Sequence, residues 1–306
     1  MHPVAFVEQG KSGAQPEVRF FSKLASALSD QHRGILLFLL SSCLLAGEVI
    51  AIHRIGEGAS FLQLSLLRSV GGLVLVALLA RKIGWEVFRT KSLSLQFLRA
   101  ILTVASMWAI FFGFARAPLT DATAIMYTRA IFLTLLAWAI LGERLDRTRW
   151  IGVMVGVLGG LLIIRPAFQG WDISYLAVLA ASILNAGAVV VTKHLSRKDS
   201  DLTVLAYVSA ISLACSAPGL ALPWPLELTP WLIAIAVFGP LAFYVGQAAI
   251  RFADVSVLAP FDYSRLVISA IVAFFVFSEM PNIGSIAGAT IIVLVTTWVA
   301  VSVGRK

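Results

Sequence analysis

The chain has 306 residues, of which 59% are hydrophobic and only 13% are charged. A soluble globular domain carries roughly 25% charged residues, so this composition excludes a soluble protein and predicts a membrane protein. The net charge of +8 does not indicate nucleic acid, because membrane proteins collect Lys and Arg in their cytoplasmic loops. We therefore expect no nucleic-acid partner.

Ten apolar stretches have the length of a membrane-spanning helix, which needs about 20 apolar residues to cross a bilayer core of ~30 Å. Residues 1–33 precede them; they are polar and mixed in charge, which predicts a cytoplasmic N-terminal tail. The predicted spans, numbered in chain order, are residues 34–53, 62–80, 95–115, 119–141, 150–164, 174–192, 202–222, 231–250, 255–277 and 283–303.

The distribution of basic residues predicts that both chain ends face the cytoplasm. In this orientation 17 of the 24 Lys and Arg residues lie in the tail, the cytoplasmic loops and the C-terminus. Only Arg54, Arg116 and Arg165 then lie outside. The bias matches the rule that positive charge stays inside, so we expect a multi-pass protein of a cell inner membrane.

The second half of the chain repeats the first. A shift of 136 residues places Tyr127 on Tyr263 and Arg129 on Arg265, and a shift of 140 aligns an Ala-Gly pair in spans one and six. The repeat unit therefore has five spans, an odd number, so the second copy crosses the membrane in the opposite direction. Such inverted repeats are typical of secondary transporters, whose substrate site lies near the midplane.

The predicted fold is thus an all-α polytopic membrane protein with ten transmembrane helices in two inverted five-helix repeats, residues 34–166 and 171–303. Arg129 and Arg265 each lie ten residues into their spans. At about 1.5 Å per residue, both are predicted about 15 Å deep, near the middle of the bilayer.

Two segments carry a family resemblance. The first is "FFGFARAPLTDATAIMYTRAIFLTLLAWAILGERLDRTRWIGVMVGVLGGLLIIRP" and the second, matching more loosely, is "IRFADVSVLAPFDYSRLVISAIVAFFVFSEMP". Together they resemble the EamA-type ten-helix transporters of the drug/metabolite transporter superfamily. The "PFDYSR" segment looks most like the branch with S-adenosylmethionine and riboflavin uptake carriers. The resemblance implies transport of a small metabolite and leaves the substrate open.

Charged residues inside the spans are the candidate site, because intramembrane ionisable groups usually mark a substrate or ion path. Asp262 and Arg265 are spaced i, i+3 and therefore share one helix face. Either they form a buried ion pair that fixes helix register, or they line a water-filled cavity. Pro260 favours the cavity, because it removes a backbone donor and kinks the helix.

Arg129 has no acidic residue within a turn, so its partner must come from elsewhere. The candidates are Glu48, Asp262, or a carboxylate or phosphate of the substrate, which arginine grips bidentately. Glu48 has the alternative of an ion pair with Arg68 or Arg99. Those two arginines lie nearer helix ends, so we expect them to snorkel to the interface.

Several aromatic and amide side chains have the chemistry to line a pocket for a planar or zwitterionic solute. For each one, helix packing or an interfacial position is the alternative. They are Trp108, Tyr127, Asn185, Tyr207, Tyr244, Gln247 and Tyr263.

Spans five and ten carry the patterns Gly152-x-x-x-Gly156 and Gly284-x-x-x-Gly288. Small residues four apart permit close helix contact, so we expect these spans to serve as scaffold or as a homodimer interface. Cysteines and histidines show no metal-ligand spacing, and no catalytic motif is present, so neither a cofactor nor an enzyme is expected.

The sequence predicts a secondary transporter that moves a small metabolite with an anionic or zwitterionic group by alternating access. The alternative is a membrane scaffold or lipid-binding protein that transports nothing.

Overall fold

The computed structural model describes residues 30–84, 88–90, 92–141, 147–164, 172–195, 199–252, 271–272, 274–278 and 283–304. Within these ranges the secondary structure is helical and contains no strand, so the prediction of an all-α protein is confirmed. The main helices are α1 (Asp30–Ile55), α2 (Phe61–Ile83), α3 (Leu93–Arg116), α4 (Leu119–Tyr127), α5 (Arg129–Leu141), α6 (Arg147–Ile164), α7 (Ile173–Leu195), α8 (Asp201–Ser216), α9 (Thr229–Phe252) and α10 (Ile283–Gly304).

Six stretches among the described residues are long and apolar enough to cross a membrane, which supports a multi-pass membrane protein. They correspond to spans one, two, three, six, seven and eight. Helices are also present at spans four, five and ten, whereas only residues 271–272 and 274–277 of span nine are described. The six stretches are His32–Gly58, Phe61–Arg81, Leu93–Arg116, Ile173–Thr192, Asp201–Ala221 and Leu226–Ala249.

The regular hydrogen bonding of span four is interrupted at one residue, Thr128, where an uninterrupted helix was expected; the backbone of Thr128 itself stays in the right-handed helical region. α4 ends at Tyr127, Thr128 forms a turn, and α5 begins at Arg129. At this turn the N–H of Thr128 donates to the carbonyl of Ile125 at 2.9 Å, a tighter bond than the α-helical one. The Thr128 hydroxyl donates to the same carbonyl at 2.6 Å. The local hydroxyl bond thus competes with the helical ladder.

The three most extensive helix contacts join the two halves of the chain: α1 with α9, α3 with α7, and α6 with α10. In terms of spans, these pairs are one with eight, three with six, and five with ten. A two-fold relation between five-helix units exchanges the first pair with the second and maps the third onto itself.

Matching contacts occur at matching positions of the first two pairs. The Ser41 hydroxyl of α1 donates to the Ala242 carbonyl of α9 at 2.8 Å. The Ser106 hydroxyl of α3 donates to the Ala181 carbonyl of α7 at 3.0 Å. Shifts of 140 residues for α1 and 136 for α3 carry one pair of positions onto the other. The same bond is therefore made twice, with the donor on opposite partners.

Two glycine contacts of these helix pairs are also repeated at matching positions. A β-carbon at Gly47 of α1 would meet the ring of Phe238, and one at Gly187 of α7 would meet Leu102. The shifts of 140 and 136 residues again relate these two contacts. At Gly47 the ring lies so close that a small residue is needed for the two helices to approach, whereas the contact at Gly187 is an ordinary van der Waals distance.

The α6–α10 crossing uses glycines in the same way. A β-carbon at Gly156 would approach Val295, and one at Gly159 would approach Ile292; a shift of 136 residues exchanges these two contacts. The crossing thus provides the scaffold packing expected of spans five and ten, here within one chain. A homodimer through these helices stays a prediction.

α9 contains Pro240, which has no N–H to donate to the Ala236 carbonyl one turn earlier. Gly71 of α2 packs against that carbonyl so closely that a β-carbon would overlap it. Residue 71 therefore has no room for a side chain.

Apolar packing is concentrated at one end of the bundle. We call this end, where α1 ends and α7 starts, the outer end, and the opposite end, where α3 starts and α7 ends, the inner end. The main cluster joins seven helices and closes the outer end; its members include Ala51, Ile52, Leu64, Phe111, Phe114, Leu119, Ile125, Tyr175, Val178, Ile235 and Ile292. A smaller cluster lies toward the inner end and contains Val76, Leu202, Leu205, Ala206, Tyr244 and Ala248.

Candidate functional site

Arg129 lies where span four is broken, as the first residue of α5. Its Nη1 donates to Oδ1 of Asn185 on α7 at 3.2 Å, and the side chain is half-buried. Two residues of the predicted site are thus brought together, one from each half of the chain. The guanidinium favours an anion at this point.

The helix break is held from α7 by a second residue on the same face as Asn185. The Ser182 hydroxyl lies 3.2 Å from the Ile125 carbonyl and 3.6 Å from Sδ of Met126. It also lies 3.1 Å from the Val178 carbonyl of its own helix. Ser182 and Asn185 therefore fix both sides of the break, α4 through Ile125 and α5 through Arg129.

Glu48 of α1 forms an ion pair with Arg68 of α2. The Arg68 Nε lies 2.5 Å from Oε1 of Glu48, and the two side chains are only 19% and 6% exposed. Nη1 of Arg68 contacts Sδ of Met107 at 3.2 Å, and a β-carbon at Gly239 would overlap both charged groups. Glu48 thus has the structural partner that the sequence left open, and the expectation that Arg68 snorkels is wrong.

Arg99 of α3 is also turned inward, so the expectation of snorkelling is wrong here too. The residue is only 5% exposed. Its Nε donates to Thr192 Oγ1 of α7 at 2.9 Å, and its guanidinium lies 5.4 Å from the ring centroid of Phe243 on α9. Packing against two other helices outweighs the short distance to the interface.

The other predicted pocket residues are spread along the bundle. The Trp108 Nε1 donates to the Ser216 hydroxyl at 3.4 Å, and the Tyr207 hydroxyl donates to the Phe88 carbonyl at 3.1 Å. Tyr127 is half-buried against the main apolar cluster. Tyr244 is buried in the smaller cluster and Gln247 is half-buried on α9.

Asp262, Tyr263 and Arg265 lie outside the described residues, together with Pro260. Their part in a site stays a prediction.

Sequence reasoning missed Ser182, Thr128 and the hydrogen bond between Tyr175 and Asp121. The Tyr175 hydroxyl of α7 donates to Oδ2 of Asp121 on α4 at 2.9 Å, and both residues are buried. For Ser182 a signal was present, since it lies three residues before Asn185 and therefore on the same helix face. For Ser182 and Tyr175, the neighbouring sequence does not indicate which residue of α4 each one contacts.

Charged groups buried within a bundle of apolar helices usually mark a solute or ion path in a membrane protein. The chain belongs to the EamA-like transporter family, whose sequence profile matches residues 32–165 and again residues 172–301. It is a transporter rather than an enzyme, with a small-molecule solute.

Relatives named for their solutes are similar over most of the chain. An S-adenosylmethionine uptake transporter from Rickettsia bellii is 27% identical, over 90% of this chain and 96% of that protein. A riboflavin transporter from Brucella anthropi is 30% identical, over 72% and 81%. A crystal structure with a TM-score of 0.63 and 20% identity covers 89% of this chain and 97% of its own, and has the same fold.

Proposed function

We propose that the protein is a secondary transporter in which two inverted five-helix repeats alternate access to a site near the membrane midplane. The pairing of α1 with α9 and of α3 with α7 supports this arrangement, as do the contacts repeated at equivalent positions. The consecutive matches of the family profile support it further. With both termini in the cytoplasm, the inner end of the bundle faces the cytoplasm and the outer end faces the opposite side of the inner membrane.

The observation that carries the proposal is the position of Arg129. The guanidinium of Arg129 lies at the Thr128 turn and donates to Asn185 across the two halves of the chain, and a guanidinium fork is the side chain best suited to a carboxylate or phosphate. Discontinuous helices at the midplane are a recurrent way to build substrate sites in transporters. Arg129 would bind the anionic group of the solute.

The solute class we propose is a metabolite with an α-amino-acid or other anionic group and a planar ring. S-adenosylmethionine, for which one set of relatives is named, joins an adenine to an α-amino-acid head. Arg265 would act as the second anion-binding residue, Asp262 would receive a proton or the ammonium group, and Tyr263 and Tyr127 would contact the ring. Glu48 would hold Arg68 in place.

The proposal is tested by a thermal-shift screen of the detergent-purified protein against S-adenosylmethionine, riboflavin, amino acids, nucleosides and organic acids. A ligand at 100 times its dissociation constant stabilises the folded state by about 2.7 kcal/mol, enough to raise the melting temperature measurably. The hit should be lost in Arg129→Ala and kept in Arg116→Ala. Arg116 is the matched control, because it lies at the outer end of α3 in an exposed pair with Glu57. A hit indifferent to Arg129 would refute the assignment of the site.

A further inference from the structure

A cluster of buried polar groups at the inner end of α3 is not explained by the site at Arg129. Arg99 is only 5% exposed. Its Nε is bonded to Thr192, but its Nη1 has no hydrogen-bond partner among the described residues. A buried donor without a partner costs free energy, and a charged one costs more. A water, a ligand or a group outside the described residues would offset that cost.

Gln96 lies one turn before Arg99 on the same helix face and is fully buried. Its Nε2 donates to Oδ2 of Asp199 at 2.7 Å, an oxygen that also accepts from Thr90 at 2.5 Å. This bond fixes the amide orientation, so Oε1 is an acceptor, and it too has no partner in the described part of the chain. A charged donor and a neutral acceptor, three residues apart on one face of α3, are thus both without a partner among the described residues.

The surrounding charges decide what such a pair would bind. Asp199 lies against Gln96, and Asp201 follows two residues later at the start of α8. A simple anion would satisfy Nη1 but would be repelled by these carboxylates and by the Gln96 oxygen. An α-amino-acid zwitterion matches both groups, because its carboxylate accepts from Nη1 of Arg99 and its ammonium donates to Oε1 of Gln96.

The equivalent place in the other helix pair shows that packing does not require these polar groups. Under the shifts of 136 and 140 residues, Arg99 corresponds to Ile235 of α9 and Thr192 corresponds to Ile52 of α1. Both isoleucines are buried in the main apolar cluster. The same helix crossing is therefore closed by apolar contacts at the outer end and by a charged, incompletely bonded cluster at the inner end.

We propose that Gln96 and Arg99 form a second binding subsite, for the α-amino-acid head group of the transported solute, at the inner end of the bundle. This inference rests on the proposed function and adds to it a second binding position, between the site at Arg129 and the cytoplasm. Because Arg99 is buried, the solute reaches the subsite when the inner ends of α3 and α7 separate.

The test uses S-adenosylmethionine as probe and measures its dissociation constant for the full-length protein by thermal shift. Gln96→Leu and Arg99→Met should each weaken binding about tenfold or more, the effect expected when a hydrogen bond to a charged group is lost. Arg116→Gln, an arginine at the other end of the same helix, should bind like the wild type. Methylthioadenosine, which lacks the amino-acid head, should bind all four proteins alike.

The outcomes separate the two proposals. If the wild type binds neither S-adenosylmethionine nor any amino acid, an α-amino-acid solute is ruled out and the subsite is overturned, whereas a bound solute with another anionic group that depends on Arg129 would leave the site at Arg129 standing. If binding depends on Arg129 but not on Gln96 or Arg99, only the subsite is overturned, and the cluster holds a buried water. Gln96→Leu places there the residue found at the equivalent position 232. If it fails to fold, the cluster is structural and the subsite is again overturned.

Discussion

The ion pair between Glu48 and Arg68 gives a sharp test of how the interior is held together. Both side chains are mostly withdrawn from the surface, at 6% and 19% exposure, and their atoms approach to 2.5 Å. Removing one partner from a buried pair leaves an uncompensated charge and costs about 3–5 kcal/mol. Glu48→Gln should therefore lower the free energy of unfolding by about 3 kcal/mol or more.

The double variant Glu48→Gln/Arg68→Met should recover most of that loss, because replacing both charges of a buried pair is often close to neutral. The matched control is Glu57→Gln, which breaks the pair with Arg116 at the outer end. Glu57 is 70% exposed there, so the loss should stay below about 1 kcal/mol. Denaturant titration in mixed micelles measures all three. Equal losses in Glu48→Gln and Glu57→Gln, or a double variant less stable than Glu48→Gln, would show that the pair is not held as a buried ion pair.

Two further substitutions test packing and hydrogen bonding. Gly71→Ala should destabilise the protein by about 1–3 kcal/mol or more, the range typical of overpacking, because the added methyl group overlaps the backbone carbonyl of Ala236. Gly187→Ala should be tolerated, since its nearest neighbour is a leucine methyl at 3.6 Å. Thermal unfolding compares the two variants. Equal melting temperatures for both would contradict the close contact between Gly71 and α9. Tyr175→Phe removes the 2.9 Å hydrogen bond to the buried Asp121 and should lower the free energy of unfolding by about 1–3 kcal/mol. Thermal unfolding measures this loss as well. An unchanged stability would show that the bond does not stabilise the protein.

The general architecture could be predicted from hydropathy, because each span must satisfy its own backbone inside the bilayer and therefore forms a helix. The repeat also predicted which helices correspond to one another, and this correspondence stays a prediction. The partner of Glu48 could not be chosen between Arg68 and Arg99, because it depends on how α1 and α2 rotate about their axes. That rotation is set by close contacts such as Gly239 against the pair, and the sequence spacing does not contain it.

The break in span four was missed for a related reason. The hydropathy of residues 119–141 predicts one continuous span, and no proline or glycine interrupts it. The turn depends on the Thr128 hydroxyl bonding to the Ile125 carbonyl and on Ser182 reaching the same carbonyl from α7. The long-range partner stabilises a local conformation that the sequence alone only permits. Arg129 was correctly placed on span four, but its contact with Asn185 depended on which face of α7 meets it.

The central claim is that Arg129 holds the anionic group of a transported metabolite. It is tested most directly by uptake of radiolabelled solutes into proteoliposomes containing the wild type, Arg129→Ala or Arg116→Ala. The panel is S-adenosylmethionine, riboflavin, amino acids and nucleosides. Uptake of a solute with a carboxylate or phosphate should be saturable, reduced about tenfold or more in Arg129→Ala and unchanged in Arg116→Ala. Uptake restricted to a cation without an anionic group, or equal uptake by all three proteins, would contradict it.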